Sequence, residues 1–433
     1  MSPSQSINCH LVESPSSIWW KDTDLAYLGP KILPQVGNQQ TVYLSDGSLA
    51  KIPQIFEQFR AVRTFLVVDE VAYNLSGAAA QLRQFLPPDA ITLFSGFEPN
   101  PKIEDVERGV AKCRAANSDL VVALGGGTAI DLAKMIASMT RHADSPRDIA
   151  TNGSPLTQGT LPLIAVPTTA GTGSEGTHFA VVYVDGQKYS VADPCLRPSV
   201  AVVDPKLTHS VPPSMTAATG LDAFCQAIES IWAVGATDES VAYATSAATL
   251  AFEHLPVATN APTAEARHAM SLASHLAGKA INISKTTLPH AISYAITADY
   301  GIPHGAAVAT TLSSVLAYNF GVSASDCADQ RGTAHVRQRL SRILDILKAA
   351  TVDQACQQIE TFVSSLGCNP TLAAAGIHTE ESLRALASRV NAARLSNNPR
   401  TANQEELLSL LKGRSALSTG THFNTFPPKA TAG

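Results

Sequence analysis

The chain has 433 residues, of which 45% are hydrophobic and 15% are charged, and its formal net charge is -5. This length predicts two domains, because single cores seldom grow beyond about 250–300 residues, and the acidic balance argues against a nucleic-acid partner. The seven cysteines are odd in number and include no C-x-x-C pair, which predicts reduced thiols in a cytoplasmic protein. No apolar run approaches the ~20 residues of a membrane span, and no secretory signal is visible, so we expect no membrane association.

Apolar runs alternate with helical segments through the N-terminal half of the chain. Five runs predict buried strands, at 63–70, 90–96, 118–127, 161–169 and 200–205, and the segment 128–139 has helical periodicity. Strands separated by helices pair in parallel through right-handed crossovers. This half is therefore expected to be an α/β dinucleotide-binding domain with a doubly wound, mostly parallel sheet.

Strand signals nearly vanish after about Pro212, and apolar residues recur with a period of 3.6 residues. This pattern predicts helices at 215–232, 240–252, 264–283, 306–320, 337–349, 352–366, 380–391 and 404–411. We expect an α/β domain at 1–210, an all-helical domain at 211–415 and a flexible tail at 416–433.

A glycine-rich turn at 125–128 joins a predicted strand to a predicted helix. Its glycines allow backbone N–H groups to turn inward, and the helix N-terminus adds positive partial charge, so the turn is typical of a phosphate cradle. The alternative is a plain tight turn. Asp69 ends the first strand, where a carboxylate can hold ribose hydroxyls and repel a 2′-phosphate, which favours NAD over NADP. The alternative for Asp69 is a solvated acid at a helix start.

The segment P-T-T-A-G-T-G-S-E at 167–175 directly follows another predicted strand. It carries four hydroxyl side chains and two glycines. Such a loop can form hydrogen bonds with the phosphates or the amide of a nicotinamide cofactor. The alternative is a structural turn rich in serine and threonine.

Four residues of the predicted helical domain form a candidate metal site. Asp222 and Gln226 are four residues apart and share one face of a helix, and His290 and His304 follow later. One carboxylate with two or three neutral imidazoles is the ligand set of Fe2+ or Zn2+. Such an ion can polarise a carbonyl group. Gln226 offers only a neutral and weaker oxygen donor.

Six motifs occur in a fixed order along the chain. They are G-G-G-T-A-I-D-L-A-K, P-T-T-A-G-T-G-S-E, D-P-x-L-T, G-L-D-A-x-x-Q-A-I-E-S, the pair of His290 and His304, and N-N-P-R. Together they resemble the group III, iron-containing alcohol dehydrogenase family over roughly residues 25–412. The resemblance implies an NAD(P)H-dependent alcohol dehydrogenase or aldehyde reductase. It also implies a divalent metal in the cleft between two domains, and a homodimer or larger homo-oligomer.

The resemblance also implies roles for individual residues. Asp222, His290 and His304 match the family's metal ligands, and Gln226 occupies the position of the remaining histidine. Tyr294 stands where many members have another histidine, to which the resemblance gives the role of relaying a proton. The positions that match cofactor-binding residues of the family are Asp69, Asn100, Gly126, Gly127, Thr128, Asp131, Thr168, Thr169, Thr172 and Lys188. A branch that resembles maleylacetate reductases works without metal, so a metal-independent reductase is the alternative.

Cations and hydroxyls cluster beside these motifs in a chain that is otherwise poor in charge. Lys285 closely precedes His290, and Arg394 lies beside the N-N-P-R turn. A dianionic group would need such donors. The segments K-Y-S, E-S-I-W, S-K-T-T-x-x-H-A-I-S-Y and S-N-N-P-R resemble the branch that reduces phosphonoacetaldehyde to 2-hydroxyethylphosphonate in phosphonate biosynthesis. We expect Lys285 and Arg394 to bind the phosphonate of a small aldehyde substrate. The alternative is that these cations are surface groups or cofactor contacts.

Three alternatives remain from the sequence. The first is a short-chain alcohol or diol dehydrogenase whose substrate has no phosphonate. The second is a lyase related to dehydroquinate synthases, which share the two-domain plan and use NAD transiently. The third is a binding or regulatory protein in which Gln226 marks a degenerate site.

Overall fold

The computed structural model describes residues 31–32, 40–85, 88–156, 159–390 and 395–413. Its strands are β1 (Lys31–Ile32), β2 (Thr41–Leu44), β3 (Thr64–Val68), β4 (Ile91–Phe94), β5 (Leu120–Gly125), β6 (Leu163–Pro167), β7 (Phe179–Val184), β8 (Gln187–Ala192) and β9 (Val200–Val203). Seven of them form one sheet in the order β1-β2-β9-β6-β5-β3-β4. All neighbours in this sheet pair in parallel except β1 and β2, which are antiparallel.

Helices cover both faces of the sheet. They are α1 (Ile52–Phe59), α2 (Glu70–Leu75), α3 (Ala78–Phe85), α4 (Ile103–Ala115), α5 (Gly127–Met139) and α6 (Pro146–Asn152). Every residue of β3, β5, β6 and β9 is buried, because parallel strands at the centre of an α/β sheet are packed on both sides. The doubly wound, mostly parallel sheet predicted from the sequence is confirmed.

The chain reverses its direction across the sheet beside β3. From β3 it first crosses to β4 on one side and then to β5 on the other. A crevice therefore forms between the carboxyl ends of β3 and β5, and open α/β sheets bind their ligands at such a point. Asp69 and the glycine-rich turn follow these two strands.

The hairpin of β7 and β8 is a separate two-stranded antiparallel sheet that was not predicted. In β7, buried residues alternate with partly exposed ones, which is typical of a strand with one face on a core. β8 is exposed or partly exposed throughout. The hairpin carries Lys188, which lies on β8.

The C-terminal half is helical over its described residues. Its helices are α7 (Pro213–Trp232), α8 (Asp238–Asn260), α9 (Ala264–Ser284), α10 (Leu288–Tyr300), α11 (His304–Phe320), α12 (Thr333–Ile346), α13 (Val352–Ser365), α14 (Glu380–Ser388) and α15 (Gln404–Leu411). The helix α10 was not predicted, and α8 continues eight residues beyond its predicted end at 252. In the described part of the chain, no helix is long and apolar enough to cross a membrane.

The apolar core of the helical half includes residues of the sheet. Val42, Leu44, Ala201 and Val203, on β2 and β9, belong to the same buried cluster as the side chains of α7 to α15. The two halves are therefore packed together along one side of the sheet. The tail expected at 416–433 lies outside the described residues.

Candidate active site

Asp222, His290 and His304 come together where helices of the C-terminal half meet. One ligand atom from each residue lies within 4.8 Å of those of the other two. The Nε2 atom of His290 lies 3.2 Å from Oδ1 of Asp222, and that of His304 lies 3.9 Å from the same oxygen. Asp222 and His290 are buried, whereas the side chain of His304 is 36% exposed. One carboxylate and two imidazoles thus converge on a point that is accessible beside His304.

Three helices hold these side chains. Asp222 lies within α7, His290 lies in the first turn of α10, and His304 is the first residue of α11. Gly305 allows α11 to approach α7, because a Cβ atom at this position would lie 2.0 Å from the carbonyl oxygen of Ala218. The same atom would lie 2.6 Å from the amide nitrogen of Asp222. The spacing of His304 from Asp222 therefore depends on a glycine.

Glu229 is a further acidic group at this site. Its fully buried carboxylate accepts hydrogen bonds from Nδ1 of His290 and from the backbone N–H and hydroxyl of Thr287. Burial opposes a charge on His290, but the carboxylates of Glu229 and Asp222 outweigh it and raise the pKa of this imidazole to about 9. Burial likewise opposes the charge of Asp222, but His290 and His304 lower its pKa below the ordinary value. The four groups form one electrostatically coupled cluster.

Gln226 lies one turn after Asp222 on α7 and is only 4% exposed. Its amide forms a hydrogen bond with Asp222 that helps to lower the pKa of that carboxyl group. Its Oε1 atom is buried and has no hydrogen-bond partner among the described residues. Such an acceptor costs roughly 1–3 kcal/mol unless something pairs with it. The three convergent ligands and this unpaired oxygen fit a divalent ion.

Tyr294 and Lys188 connect this cluster to the α/β half. The ring of Tyr294 is stacked on that of His304, with 5.8 Å between centroids and 6° between planes. The Nζ atom of Lys188, on β8, lies 3.6 Å from the centre of the Tyr294 ring, which is a cation–π contact. The structure brings Tyr294 to a predicted metal ligand. The expected contact of Lys188 with a cofactor ribose stays a prediction.

The two predicted cofactor loops lie side by side at the carboxyl ends of β5 and β6, which are neighbours in the sheet. A Cβ atom at Gly127 would lie 2.8 Å from Cγ2 of Thr172, and one at Gly126 would lie 3.4 Å from Oγ1 of Thr169. The hydroxyl of Thr168 is buried with no hydrogen-bond partner in the described part of the chain. Glycine at position 127 therefore lets the two loops pack together at the start of α5, and a helix N-terminus can bind a phosphate.

Asp131 and Lys134 fasten the second loop to α5. The carboxylate of Asp131 accepts hydrogen bonds from the hydroxyl of Ser174 at 2.6 Å and the N–H of Val181 at 3.0 Å. The buried ammonium of Lys134 donates to the hydroxyls of Ser174 and Thr177 at 2.9 and 2.7 Å. Burial lowers the pKa of Lys134 to about 8, although Asp131 opposes this shift. These contacts hold the loop in place, and a contact of Asp131 with a cofactor stays a prediction.

Asp69 and Asn100 lie beside the glycine-rich turn. Oδ1 of Asp69 accepts a hydrogen bond from the N–H of Ala72 at 3.0 Å and so caps α2. This is the helix-start role that the sequence left open, and it is compatible with a ribose contact through the other oxygen. The backbone N–H of Asn100 donates to Oγ1 of Thr128 at 3.3 Å. Both residues therefore adjoin the turn, and their contacts with a cofactor stay predictions.

The second loop of the α/β half packs directly on helices of the other half. A Cβ atom at Gly171 would lie 2.6 Å from Cβ of Thr219 on α7, and one at Gly173 would lie 2.5 Å from Cα of Gly278 on α9. No side chain fits between these backbones. Because α7 also carries Asp222, the predicted cofactor and metal residues face one cleft.

Lys285 follows α9 with φ 61° and ψ 176°, a backbone conformation that costs most residues about 1–3 kcal/mol. Asn397 stabilises this conformation, because its Nδ2 donates to the carbonyls of Ser284 and Thr286 at 2.8 and 3.0 Å. The side chain of Lys285 is exposed. The other predicted phosphonate ligand, Arg394, lies outside the described residues.

Two family profiles match the chain in succession. The one described as "Iron-containing alcohol dehydrogenase" matches residues 39–205, and the one described as "Fe-containing alcohol dehydrogenase family, C-terminal" matches residues 216–415. The chain belongs to the iron-containing alcohol dehydrogenase family. It is therefore an oxidoreductase of the alcohol dehydrogenase and aldehyde reductase class, and the predicted enzyme class is confirmed.

Several family members are similar to the chain over most of its length. The phosphonoacetaldehyde reductase of Streptomyces viridochromogenes is 41% identical over 318 residues, which are 70% of this chain and 78% of the relative. The NAD-dependent methanol dehydrogenase of Bacillus methanolicus is 30% identical, and the match covers 84% of this chain and 96% of the relative. The crystal structure of sulfoacetaldehyde reductase from Bifidobacterium kashiwanohense, in complex with NAD+, matches with a TM-score of 0.77 and 33% identity. That match covers 88% of this chain and 98% of the neighbour.

Three residues that organise the site were not predicted from the sequence. Glu229 stands seven residues after Asp222, so both lie on one face of α7, and this spacing was the available signal. Lys134 stands three residues after Asp131 on α5. Asn397 belongs to the recognised N-N-P-R motif, but only the structure shows that it holds the backbone around Lys285.

Proposed function

We propose that the protein reduces phosphonoacetaldehyde to 2-hydroxyethylphosphonate, with NADH as the hydride donor. The observation that carries the proposal is the position of Lys188, whose ammonium lies 3.6 Å from the centre of the Tyr294 ring, which is itself stacked on His304. An aldehyde bound at the ligand cluster would therefore have a cation beside it, as a substrate with a phosphonate group needs. The names of two relatives, phosphonoacetaldehyde reductase and sulfoacetaldehyde reductase, also denote acetaldehydes with an anionic group.

A further cation favours an anionic substrate. Lys285 is exposed, and it precedes the first turn of α10, where His290 lies. Asn397 holds the strained backbone on both sides of Lys285, so the Cα–Cβ bond of Lys285 keeps one direction. We assign the phosphonate to Lys285, with Arg394 as a second donor.

The chemistry at the carbonyl follows from the ligand cluster. A divalent ion, Fe2+ or Zn2+, would be held by Asp222, His290 and His304, with Gln226 as a fourth donor, and would polarise the aldehyde carbonyl. Tyr294 is stacked on His304, and we assign it the proton transfer to the carbonyl oxygen as the alcohol forms. His290 and Asp222 are buried, so their side chains keep fixed positions during this step.

The cofactor would bind at the carboxyl ends of β3, β5 and β6. The start of α5 would receive its pyrophosphate, and the hydroxyls of Thr168, Thr169 and Thr172 would bind its nicotinamide half. Asp69 would hold the adenosine ribose, and its charge favours NADH over NADPH. The crystal structure of the sulfoacetaldehyde reductase contains NAD+, which supports NAD(H) as the cofactor.

The test is the oxidation of NADH and NADPH with phosphonoacetaldehyde and, in parallel, with acetaldehyde and propanal. Each assay is run on the purified enzyme, after chelation, and after Fe2+ or Zn2+ is restored. We expect NADH turnover with phosphonoacetaldehyde that is lost on chelation and returns with metal. Replacing Lys285 with Gln should raise the KM for phosphonoacetaldehyde by about 10–100-fold, because a hydrogen bond to a charged group contributes roughly 1.5–3 kcal/mol.

Acetaldehyde serves as the matched control for this substitution, because it lacks the phosphonate and its KM should not change in Lys285→Gln. Equal losses with both aldehydes would contradict the role of Lys285. Turnover confined to uncharged aldehydes would refute the phosphonate substrate. Turnover that survives complete metal removal would establish the metal-independent alternative, in which Gln226 marks the lost ligand.

A further inference from the structure

We infer that Glu229 is the positioning residue of the metal site, which fixes the orientation of His290 so that its Nε2 atom faces the ion. The inference rests on the metal-dependent function proposed above. It concerns a residue that would touch neither the ion nor the substrate. Glu229 acts through the imidazole to which it is hydrogen-bonded.

The carboxylate of Glu229 has a different partner at each oxygen. Oε1 accepts a hydrogen bond from Nδ1 of His290, and Oε2 accepts from the backbone N–H and the hydroxyl of Thr287 at 2.6 and 2.8 Å. The indole N–H of Trp232 donates to the hydroxyl of Thr287 at 2.8 Å. All of these side chains are buried. The carboxylate is therefore held in one orientation, and the imidazole ring is held with it.

This hydrogen bond determines which nitrogen is available to a metal. A neutral imidazole carries its proton on one nitrogen, and the carboxylate of Glu229 requires that nitrogen to be Nδ1. The lone pair of Nε2 then points towards Asp222, whose Oδ1 lies 3.2 Å away. Carboxylates in this position also make the imidazole a stronger ligand.

The composition of the ligand set makes this contribution larger in this chain. Gln226 supplies an amide, which is a weaker donor than an imidazole, so metal affinity depends more on His290 and the other ligands. Asp222 is the single negative charge among the four candidate donors. Glu229 lies on the same face of α7, seven residues after Asp222, and brings a second negative charge within one hydrogen bond of the site. A divalent ion would thus be balanced by two carboxylates.

The substitution Glu229→Gln separates this role from a general structural one. An amide has one oxygen and one NH2 group. If the oxygen serves Thr287, the NH2 group faces His290 and forces Nδ1 to accept, which moves the imidazole proton to Nε2 and blocks coordination. If the oxygen serves His290, the NH2 group faces the backbone N–H of Thr287. Either arrangement weakens the site, while the size of the side chain hardly changes.

The experiment measures the dissociation constant of Zn2+ and Co2+ by equilibrium dialysis for the wild type, Glu229→Gln and Ser230→Ala. Ser230 is the matched control, because it is buried on the same helix and loses a hydrogen bond from the hydroxyl of Ser284, which lies 2.8 Å away. Melting temperatures are measured with chelator and with metal. The visible spectrum of bound Co2+ reports the ligand geometry.

We expect Glu229→Gln to weaken metal binding by about 10–100-fold, to shrink the metal-induced rise in melting temperature and to alter the Co2+ spectrum. Ser230→Ala should lower the melting temperature equally with and without metal and leave the dissociation constant unchanged. Wild-type affinity in Glu229→Gln would overturn the inference and leave the proposed function intact. A wild-type protein that binds no metal would overturn both the inference and the metal-dependent part of the proposed function.

Discussion

Replacing Gly305 with alanine should move His304 away from Asp222 and His290. The added Cβ atom would lie 2.0 Å from the carbonyl oxygen of Ala218, where ordinary contact begins near 3.4 Å. Both groups belong to helix backbones, so neither can rotate away, and α11 must separate from α7 by roughly 1 Å. Overpacking of this kind costs about 1–3 kcal/mol. The displacement would fall directly on His304, the neighbouring residue.

The consequence for function should exceed the consequence for stability. His304 and Asp222 lie 3.9 Å apart, and metal–ligand bonds of about 2.0–2.2 Å leave little room for a further shift. We expect Gly305→Ala to bind Zn2+ more weakly and to lose about 100-fold in turnover, since a 1 Å misplacement can cost that much. Metal affinity is measured by equilibrium dialysis, turnover by NADH oxidation and stability by urea unfolding.

Gly220→Ala is the matched control. Gly220 lies on the same helix as Asp222, but a Cβ atom at this position would lie 2.2 Å from the side chain of Leu255. That side chain can move aside. We expect the Gly220→Ala protein to be less stable than the wild type but to retain its metal affinity. The reasoning would be refuted by a folded Gly305→Ala protein with wild-type metal affinity and turnover. It would also be refuted if Gly220→Ala lost as much affinity.

Three further substitutions have distinct expected results. Tyr294→Phe should lower turnover by about 100-fold or more and leave metal affinity unchanged, which comparison of kcat with a dialysis titration checks. Asp69→Ser keeps a helix cap and removes the charge, so the ratio of NADPH to NADH activity should rise at nearly unchanged stability. Burial lowers the pKa of Lys134 to about 8 from an ordinary 10.5. Between these pH values the unfolded chain binds more protons than the folded chain, so the free energy of unfolding rises with pH. In urea unfolding from pH 8 to 10, the wild type should gain up to about 3 kcal/mol relative to Lys134→Met, and parallel curves would contradict this.

Local patterns were sufficient to predict five of the seven strands of the main sheet and the loops that follow them, whereas β1 and β2 were not predicted. The runs that became β3, β5 and β6 are buried at every position, so each appears in the sequence as an unbroken apolar segment. Each is followed at once by Asp69, by glycines or by threonines. The chemistry of Asp222, His290 and His304 predicted a metal site, family resemblance matched them to ligands, and the structure brings their ligand atoms within 4.8 Å of one another.

The missed elements have physical reasons. The first nine residues of α10 contain no charged side chain apart from His290 and are buried apart from Tyr294, so they lack the charged, exposed face of an amphipathic helix. The strand β8 is held by pairing with β7 and contributes little buried surface of its own. Glu229 is separated from His290 by 61 positions in the chain, and only the packing of α10 on α7 brings them together.

The contact of Gly171 and Gly173 with α7 and α9 has a consequence for motion. Backbones that touch without intervening side chains cannot slide or part without losing close packing along the whole line. We therefore expect this line to act as a pivot when the two halves of the enzyme move. Surfaces far from a pivot swing most, while groups beside it hardly change their separation. The threonine loop and Asp222 adjoin this line. The distance over which hydride is transferred would therefore be fixed when the chain folds, and only the outer cleft would open to admit the substrate.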